Sequence, residues 1–431
     1  GLAEPVEFSA DRGFYDQPFK LYLSAEPGAE IRYTTDASEP TATTGIPYTA
    51  AIDITNTTTL RAAAFVPNKV PSVTVTQSDL MNMTDAIMSL PVLSLVTDTN
   101  NLYGETGIME IDPRNTVNRG IAWERPVSAE WIRSEDNGGF AIDAGLRVQG
   151  GNYVRQRYDY NVGGRFGKYS YRLYFRGDYG QSRLVYPLFE DVPFDEFERI
   201  SLRAGMNDYS NPFIVDELVR RLYGDTGNVS SHGGLANLFL NGEDKGYYNP
   251  TERIDEDFLQ SWHGGTNDWD VIAQANEIRE GDAVKWNEMR NFIIPNDMSD
   301  PGNYAVAGTM VDVDNFIDYL LVNIYSGVGD WPHNNWRAAR ERVPEAKFQF
   351  IVWDAEWALG NQGRSVTVNN ITGELSGGSD IARMFQSLMQ SPEFRIRFAD
   401  RVHLHMFNGG ALTDENISDR YWELRNEMAA V

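Results

Sequence analysis

GDWPHNNWRAARERVPEAKFQFIVWDAEWALG, residues 329–360, sets two polar clusters, Asp330 to Asn335 and Asp354 to Glu356, beside tryptophans and an apolar run. The stretch before it, VDNFIDYLLVNIYSG, begins on acidic capping residues and ends at Gly327, which predicts a helix. WPHNNW then reads as a turn, and KFQFIVWD as a strand that carries Asp354 to its C-terminal end. One reading of the polar residues is structural, with Asp330 accepting backbone N–H groups and the asparagines making Asx turns. The other is chemical, with the same side chains held between aromatic walls.

Outward from this stretch, the chain divides by pattern. PFIVDELVRRLYGDTG places Phe213, Val215, Leu218, Val219 and Leu222 on a helical stripe, and SDIARMFQSLMQSPEFRIRFADRVHLHMF supplies two more helices. From about Leu90 to Ile200 the chain is strand-rich, with AGLRVQGG, YSYRLYFRGDYG and FERISLRAG punctuated by glycine. The first eighty residues carry shorter alternating runs (FKLYLSA, EIRYTTD, AAIDIT, TTLRAAAF) between Pro, Gly, Asn and Asp turns, a small β-sandwich pattern. MNMTDAIM breaks that alternation. The expectation is an α+β protein: an all-β module over 1–80, then a domain over 81–431 with a β-rich lobe at about 90–205 and a helical lobe at about 206–431. No repeat of solenoid length is present.

The chain has 431 residues, 42% of them hydrophobic, enough for sizeable cores. With 37 basic against 62 acidic residues, it argues against a nucleic-acid backbone as the main partner, though a local basic pocket stays open. The absence of cysteine excludes a thiol nucleophile, disulfides and Cys-type zinc sites. IMSLPVLSLV and YLLVNIY fall short of the roughly 20 residues that span a bilayer. Gly1 is followed by acidic and polar residues, so a secretion signal is expected to be missing from this sequence.

Phosphoryl transfer asks little of a protein: a base to orient the attacking hydroxyl, ligands for Mg²⁺, and cations on the phosphates. Asn335 follows Asp330 by five positions and Asp354 by 24, the order and nearly the spacing of base and metal ligands in protein kinases. Lys168, before YSYRLYF, is a candidate for the phosphates, against the plainer reading of a solvated strand-end lysine. Glu217 stands where a kinase carries the carboxylate that pairs with such a lysine, although surface glutamates are ordinary. Gly145, Arg147, Gly150 and Gly151 in GLRVQGGN offer backbone and guanidinium to phosphate, or simply a turn. Asp354 and Glu356 also suggest a glycosidase pair, roughly 6 to 7 Å apart if the strand continues through them. That reading leaves Asp330, Asn335 and Lys168 without a role. His403 and His405 do not share a helix face. Asp312, Asp314 and Asp318 lack the EF-hand glycine and glutamate, so capping is the better reading.

GLRVQGG, GKYSYRLYFRGDYG, YPLF, LRAGMND, LFLNGEDKGYYNPTERID, DVDNFIDYLLVN, DWPHNNWRAAR and FIVWDAEWALG, in this order, make residues from about 90 to the end resemble the CotH spore-coat kinase family. YTTDASEPT and TTTLRAAAF make residues 5 to 78 resemble the immunoglobulin-like module of chitobiase-type hexosaminidases, usually a spacer. The first resemblance implies a two-lobed, atypical protein-kinase-like fold, ATP with Mg²⁺ or Mn²⁺, and Ser or Thr acceptors on surface or coat proteins, possibly including the chain itself. It implies Asp330 as the catalytic carboxylate, Asp354 as metal ligand with Glu356 in the second acidic position, and Lys168 on the phosphate side. Glu252, in TERID, matches a glutamate near the nucleotide hinge, and Asn335 follows as second metal ligand from kinase spacing. A secreted or surface location is implied, with polysaccharide contact through the N-terminal module. Two departures bear on activity: Glu356 stands where an aspartate is common, and Gln149 where an arginine is usual. They leave open a kinase fold kept as an inactive scaffold.

Overall fold

The computed structural model describes every residue except 111–113, 151–167, 206, 209–212, 364 and 430–431, so Gly151 lies outside the described residues. In the N-terminal region Glu30–Thr34, Thr58–Phe65 and Val75–Met81 are antiparallel neighbours in a five-stranded sheet, and Gly13–Tyr15 adds in parallel to the last of them. Phe19–Leu21 pairs with Ile52–Ile54 across the module. Alternation does the work: Leu21, Ile54, Leu60, Ala62 and Ala64 point into one small core. Thr84 caps a short helix, Asp85–Met88, where the alternation stops.

The following strands close into a barrel in the order Val92–Val96, Arg125–Ile132, Gly139–Val148, Tyr171–Tyr174, Arg199–Arg203, Glu243–Glu252, Ala236–Leu240. The last returns in parallel to the first. Leu146, Val148, Tyr171, Leu173, Ile200 and Leu202 fill the interior. By the same two-residue period Arg147, Arg172, Tyr174, Arg199 and Arg203 stand on the outer face. The strand-rich part therefore extends beyond residue 205. Ala236–Leu240 is buried at every position and lacks alternation, which hid its strand character behind the helix Val215–Asp225.

The remaining chain builds a second, larger core around the helix Val313–Ser326 and the sheet Glu277–Glu280, Trp269–Ala273, Trp336–Glu341, Gln349–Val352. Asp312 caps that helix through the Asn315 N–H, and Gly327 ends it in the left-handed conformation at φ 62°. Asp314 pairs with Arg397, and Asp318 with Arg401 and His405, so these acids serve the helical packing. The architecture is mixed α+β, with a closed barrel in the place where the β-rich lobe was expected. Among the described residues no helix is long and apolar enough to cross a membrane.

Candidate functional site

Arg203, the last residue of its barrel strand, is only 8% exposed and is turned outward onto carboxylates from two other elements. Its Nη2 donates to Asp354 Oδ1 at 2.6 Å and to Glu356 Oε1 at 3.0 Å, and its Nε lies 3.1 Å from Asp216 Oδ2. Asp216, on the first turn of Val215–Asp225, also accepts the Ala355 N–H at 2.6 Å. The strand before Asp354 ends at Val352, and Asp354 itself has φ +63°. A turn, rather than strand alternation, thus brings Asp354 and Glu356 to one nitrogen, so the strand spacing behind the glycosidase reading does not apply. Glu356 Oε2 accepts the Asn207 N–H at 2.8 Å, and Asn361 Nδ2 bridges the carbonyls of Glu356 and Asn207.

The cluster is electrostatically loaded. Burial pushes Glu356 up to about 7, with Asp354 and Asp216 adding to it against Arg203. Burial and Glu356 push Asp208 up to about 8. Asp216 is also buried, yet Arg203 and Arg220 hold it below the usual carboxylate range. Asp208 Oδ2 accepts the Val215 N–H at 2.7 Å, while its buried Oδ1 has no partner among the described residues. Arg203, Asp208, Glu217, Tyr247 and Glu356 border a cavity of about 20 Å³, room for one water-sized occupant.

The Asp330 turn is fastened to this segment. Gly329 N donates to Trp357 O at 2.7 Å and Leu359 N to Ser326 O at 2.8 Å. Asp330 Oδ1 takes Asn334 Nδ2 and lies near His333 Nε2, both at 3.1 Å, so side chains rather than backbone N–H groups meet it. Trp331 is fully buried and donates to Tyr319 OH, forming the dry wall expected for this turn. Asn335, at φ 59°, precedes the Trp336↔Val352 pair, so Asn335 and Asp354 leave the same end of one strand pair.

The other sequence candidates spread around this rim. Lys168 is buried, with Nζ on the Tyr247 carbonyl and 4.0 and 4.6 Å from the Tyr247 and Tyr248 ring centres. The plain reading of a solvated lysine is therefore replaced by a buried one. Glu217, also buried, is engaged by Arg220, Arg221 and Asn249, so the lysine pairing expected for it is taken by arginines of its own helix. It still borders the same cavity as Tyr247. Arg147 rests on Tyr174, and Gly150 stands exposed at φ 118° just beyond its strand. Gln149 accepts Arg172 Nη2 at 2.9 Å, so the position that lacks an arginine is still supplied with one from the next strand. Glu252 lies apart: His232 N–H and Trp262 Nε1 donate to it where the chain leaves the barrel.

Sequence reasoning missed Arg203, Asp208, Asp216 and His333. The available signal for Arg203 was its place between interior positions, one residue after Leu202. For a metal, Asp354 and Glu356 supply converging hard oxygens, while among the described residues no group of three ligand side chains forms a ready cage. That donor set suits Mg²⁺, which is commonly held by one or two carboxylates together with substrate phosphates.

Fold and site define a mixed α+β protein with a carboxylate–arginine cluster where a closed barrel meets a helical region. The family model described as CotH kinase protein matches residues 151–430, and the chain belongs to that family. The chitobiase/beta-hexosaminidase C-terminal domain matches residues 10–76, within the N-terminal sandwich. No curated protein matches the chain.

Proposed function

We propose that the chain transfers the γ-phosphate of ATP to Ser or Thr hydroxyls of surface or coat proteins, with the barrel and the helical region acting as the two lobes of an atypical kinase. The observation that carries this reading is the Gly329–Trp357 backbone bond, which sets the Asp330 turn on the same rim as Asp354 and Glu356. Asp330 Oδ2, which makes no hydrogen bond among the described residues, accepts the acceptor hydroxyl's proton as its oxygen attacks the γ-phosphorus and ADP leaves. Asp354, Glu356 and Asn335 are the residues to hold Mg²⁺ or Mn²⁺, which would screen the charge on the phosphates. Lys168, Arg147 and Gly150 face the nucleotide side, with Glu217 and Glu252 as supports of the surrounding elements. The reading includes a secreted or surface location, and the N-terminal module as a spacer with polysaccharide contact.

Transfer of labelled γ-phosphate from ATP, with Mg²⁺ and separately with Mn²⁺, to the protein itself and to a Ser-rich substrate tests it. Incorporation should be lost in Asp330→Ala and in Asp354→Ala. A second reading has its own observation: Arg203 already neutralises Asp354 and Glu356, which suits a kinase fold kept as a non-catalytic scaffold. Absence of incorporation, with no nucleotide-induced thermal stabilisation, would favour it.

A further inference from the structure

On the outer face of the barrel a second charged layer runs away from Asp354, and it is made of arginines. Arg147 and Arg172 are direct cross-strand partners on one face, an arrangement that places like charges about 5 Å apart at their Cβ atoms. Both lean on Tyr174: Arg147 Nη2 and Arg172 Nη1 meet its hydroxyl, with the guanidinium carbons 5.0 and 5.9 Å from the ring centre. Burial alone would raise that hydroxyl, yet Arg172 and Arg147 hold it below the usual phenol range.

The row continues across the junction. Arg253 follows the strand Glu243–Glu252, Arg279 lies on the edge strand Glu277–Glu280, and Arg337 lies on Trp336–Glu341. Each repels the next: burial and Arg172 bring Arg253 down to about 10, and burial and Arg253 lower Arg279 against the pull of Glu277. Arg337 is 8% exposed and stacks 5.2 Å over Trp353, the neighbour of Asp354. Among the described residues, only Asp255 and Glu277 come within ion-pair distance of these five, at 3.5 Å from Arg253 and 2.7 Å from Arg279. Asp255 is shared with Arg199. Among the described residues, Nε of Arg147, Arg172 and Arg279 is also buried without a partner.

Guanidiniums withdrawn from water need anions, and donors left unmet in a buried place are costly. A chain carrying net charge −25 holds this surplus of cations at one spot, a few residues from its acidic cluster. We infer that Arg147, Arg172, Arg253, Arg279 and Arg337 form a slot for a linear polyphosphate, taken from a nucleoside triphosphate or from free inorganic polyphosphate. The row is edged by Tyr174 and Trp353, which fits a narrow chain of oxyanions better than a folded partner. Planar donors in a row match phosphate oxygens two at a time. This inference rests on the proposed kinase reading only for the nucleotide as source of the phosphates.

The test is calorimetric titration of the full chain with inorganic tripolyphosphate, ATP and AMP, in metal-free buffer and again with Mn²⁺. Tripolyphosphate and ATP should bind, and AMP at least roughly tenfold more weakly, since its single phosphate meets fewer guanidiniums of the row. Arg253→Gln with Arg279→Gln should weaken tripolyphosphate by at least roughly tenfold. Arg279→Gln alone, on an edge strand, serves if the double variant does not fold. Tripolyphosphate binding without any phosphate transfer keeps the slot and removes the kinase. Transfer with an unchanged ATP KM in the variant, or no tripolyphosphate binding by the wild type, overturns the slot.

Discussion

Arg203 Nη2 sits 2.6 Å from Asp354 Oδ1, so the carboxylate expected to carry a divalent cation is already neutralised by a buried guanidinium. The same side chain also serves Glu356 and Asp216. Removing one partner from a buried ionic cluster typically costs about 3–5 kcal/mol, because the charges left behind remain desolvated. Arg203→Met is expected to lose stability on that scale in urea unfolding. Asp216 keeps Arg220, but the freed Asp354 and Glu356 should then recruit a cation, so added Mn²⁺ should raise the variant's midpoint more than the wild type's. An equal Mn²⁺ shift in both proteins would mean that Arg203 does not compete with a metal.

Glu356 spans from Arg203 to the Asn207 N–H, at 3.0 and 2.8 Å. An aspartate is one methylene shorter and cannot hold both. Glu356→Asp should therefore lower unfolding free energy by about 1–2 kcal/mol, the scale of one lost buried hydrogen bond, and reduce phosphate transfer with it. An aspartate at this position would then be harmful in this chain. Faster transfer by the variant would mark Glu356 as a position where chemistry has been damaged.

Gly205, at φ +63°, lies two residues after Arg203, and a Cβ there would stand 2.5 Å from the Tyr247 hydroxyl. Tyr247 carries Lys168 on its carbonyl and ring. Gly205→Ala combines left-handed strain of about 1–2 kcal/mol with displacement of that tyrosine. The expected result is a lower melting temperature and a smaller stabilisation by ATP. An unchanged ATP-induced shift would separate Tyr247 from nucleotide binding.

What the sequence made legible follows from how each feature is encoded. Asp330, Asn335, Asp354 and Glu356 lie on one continuous stretch, and local signals (a glycine stop, a turn, a strand end) were enough to bring them near one another. Arg203 and Asp216 reach the same place from 151 and 138 residues upstream of Asp354. Only tertiary packing creates that meeting, and an arginine on a strand looks the same whether it faces solvent or carboxylates. Closure of the barrel was hidden for a related reason. It depends on the parallel pairing of Val92–Val96 with Ala236–Leu240, a long-range contact with no local periodicity to announce it.

The seam between the N-terminal sheet and the barrel should make stability depend on pH. Asp79, on Val75–Met81, and Glu130, on Arg125–Ile132, are both buried, and each has one carboxylate oxygen without a partner among the described residues. Burial pushes Asp79 up to about 6, opposed by Gln77. Burial pushes Glu130 up to about 7, with Ser78 and Arg12 opposing and Asp79 reinforcing. Ser94, bonded to Ser78 at 2.7 Å, completes the polar contacts on the barrel side. The folded state thus holds these protons more tightly than the unfolded chain does. Their contribution is fully present below the ordinary carboxylate range near pH 4 and is lost as pH rises through about 6 and 7. Glu130→Gln keeps an acceptor for Ser78 and removes the charge. Its advantage over wild type should be small at pH 4.5 and grow to on the order of 2 kcal/mol at pH 8, read from urea unfolding at both values. A constant difference across that range would show that Glu130 stays ionised in the folded protein.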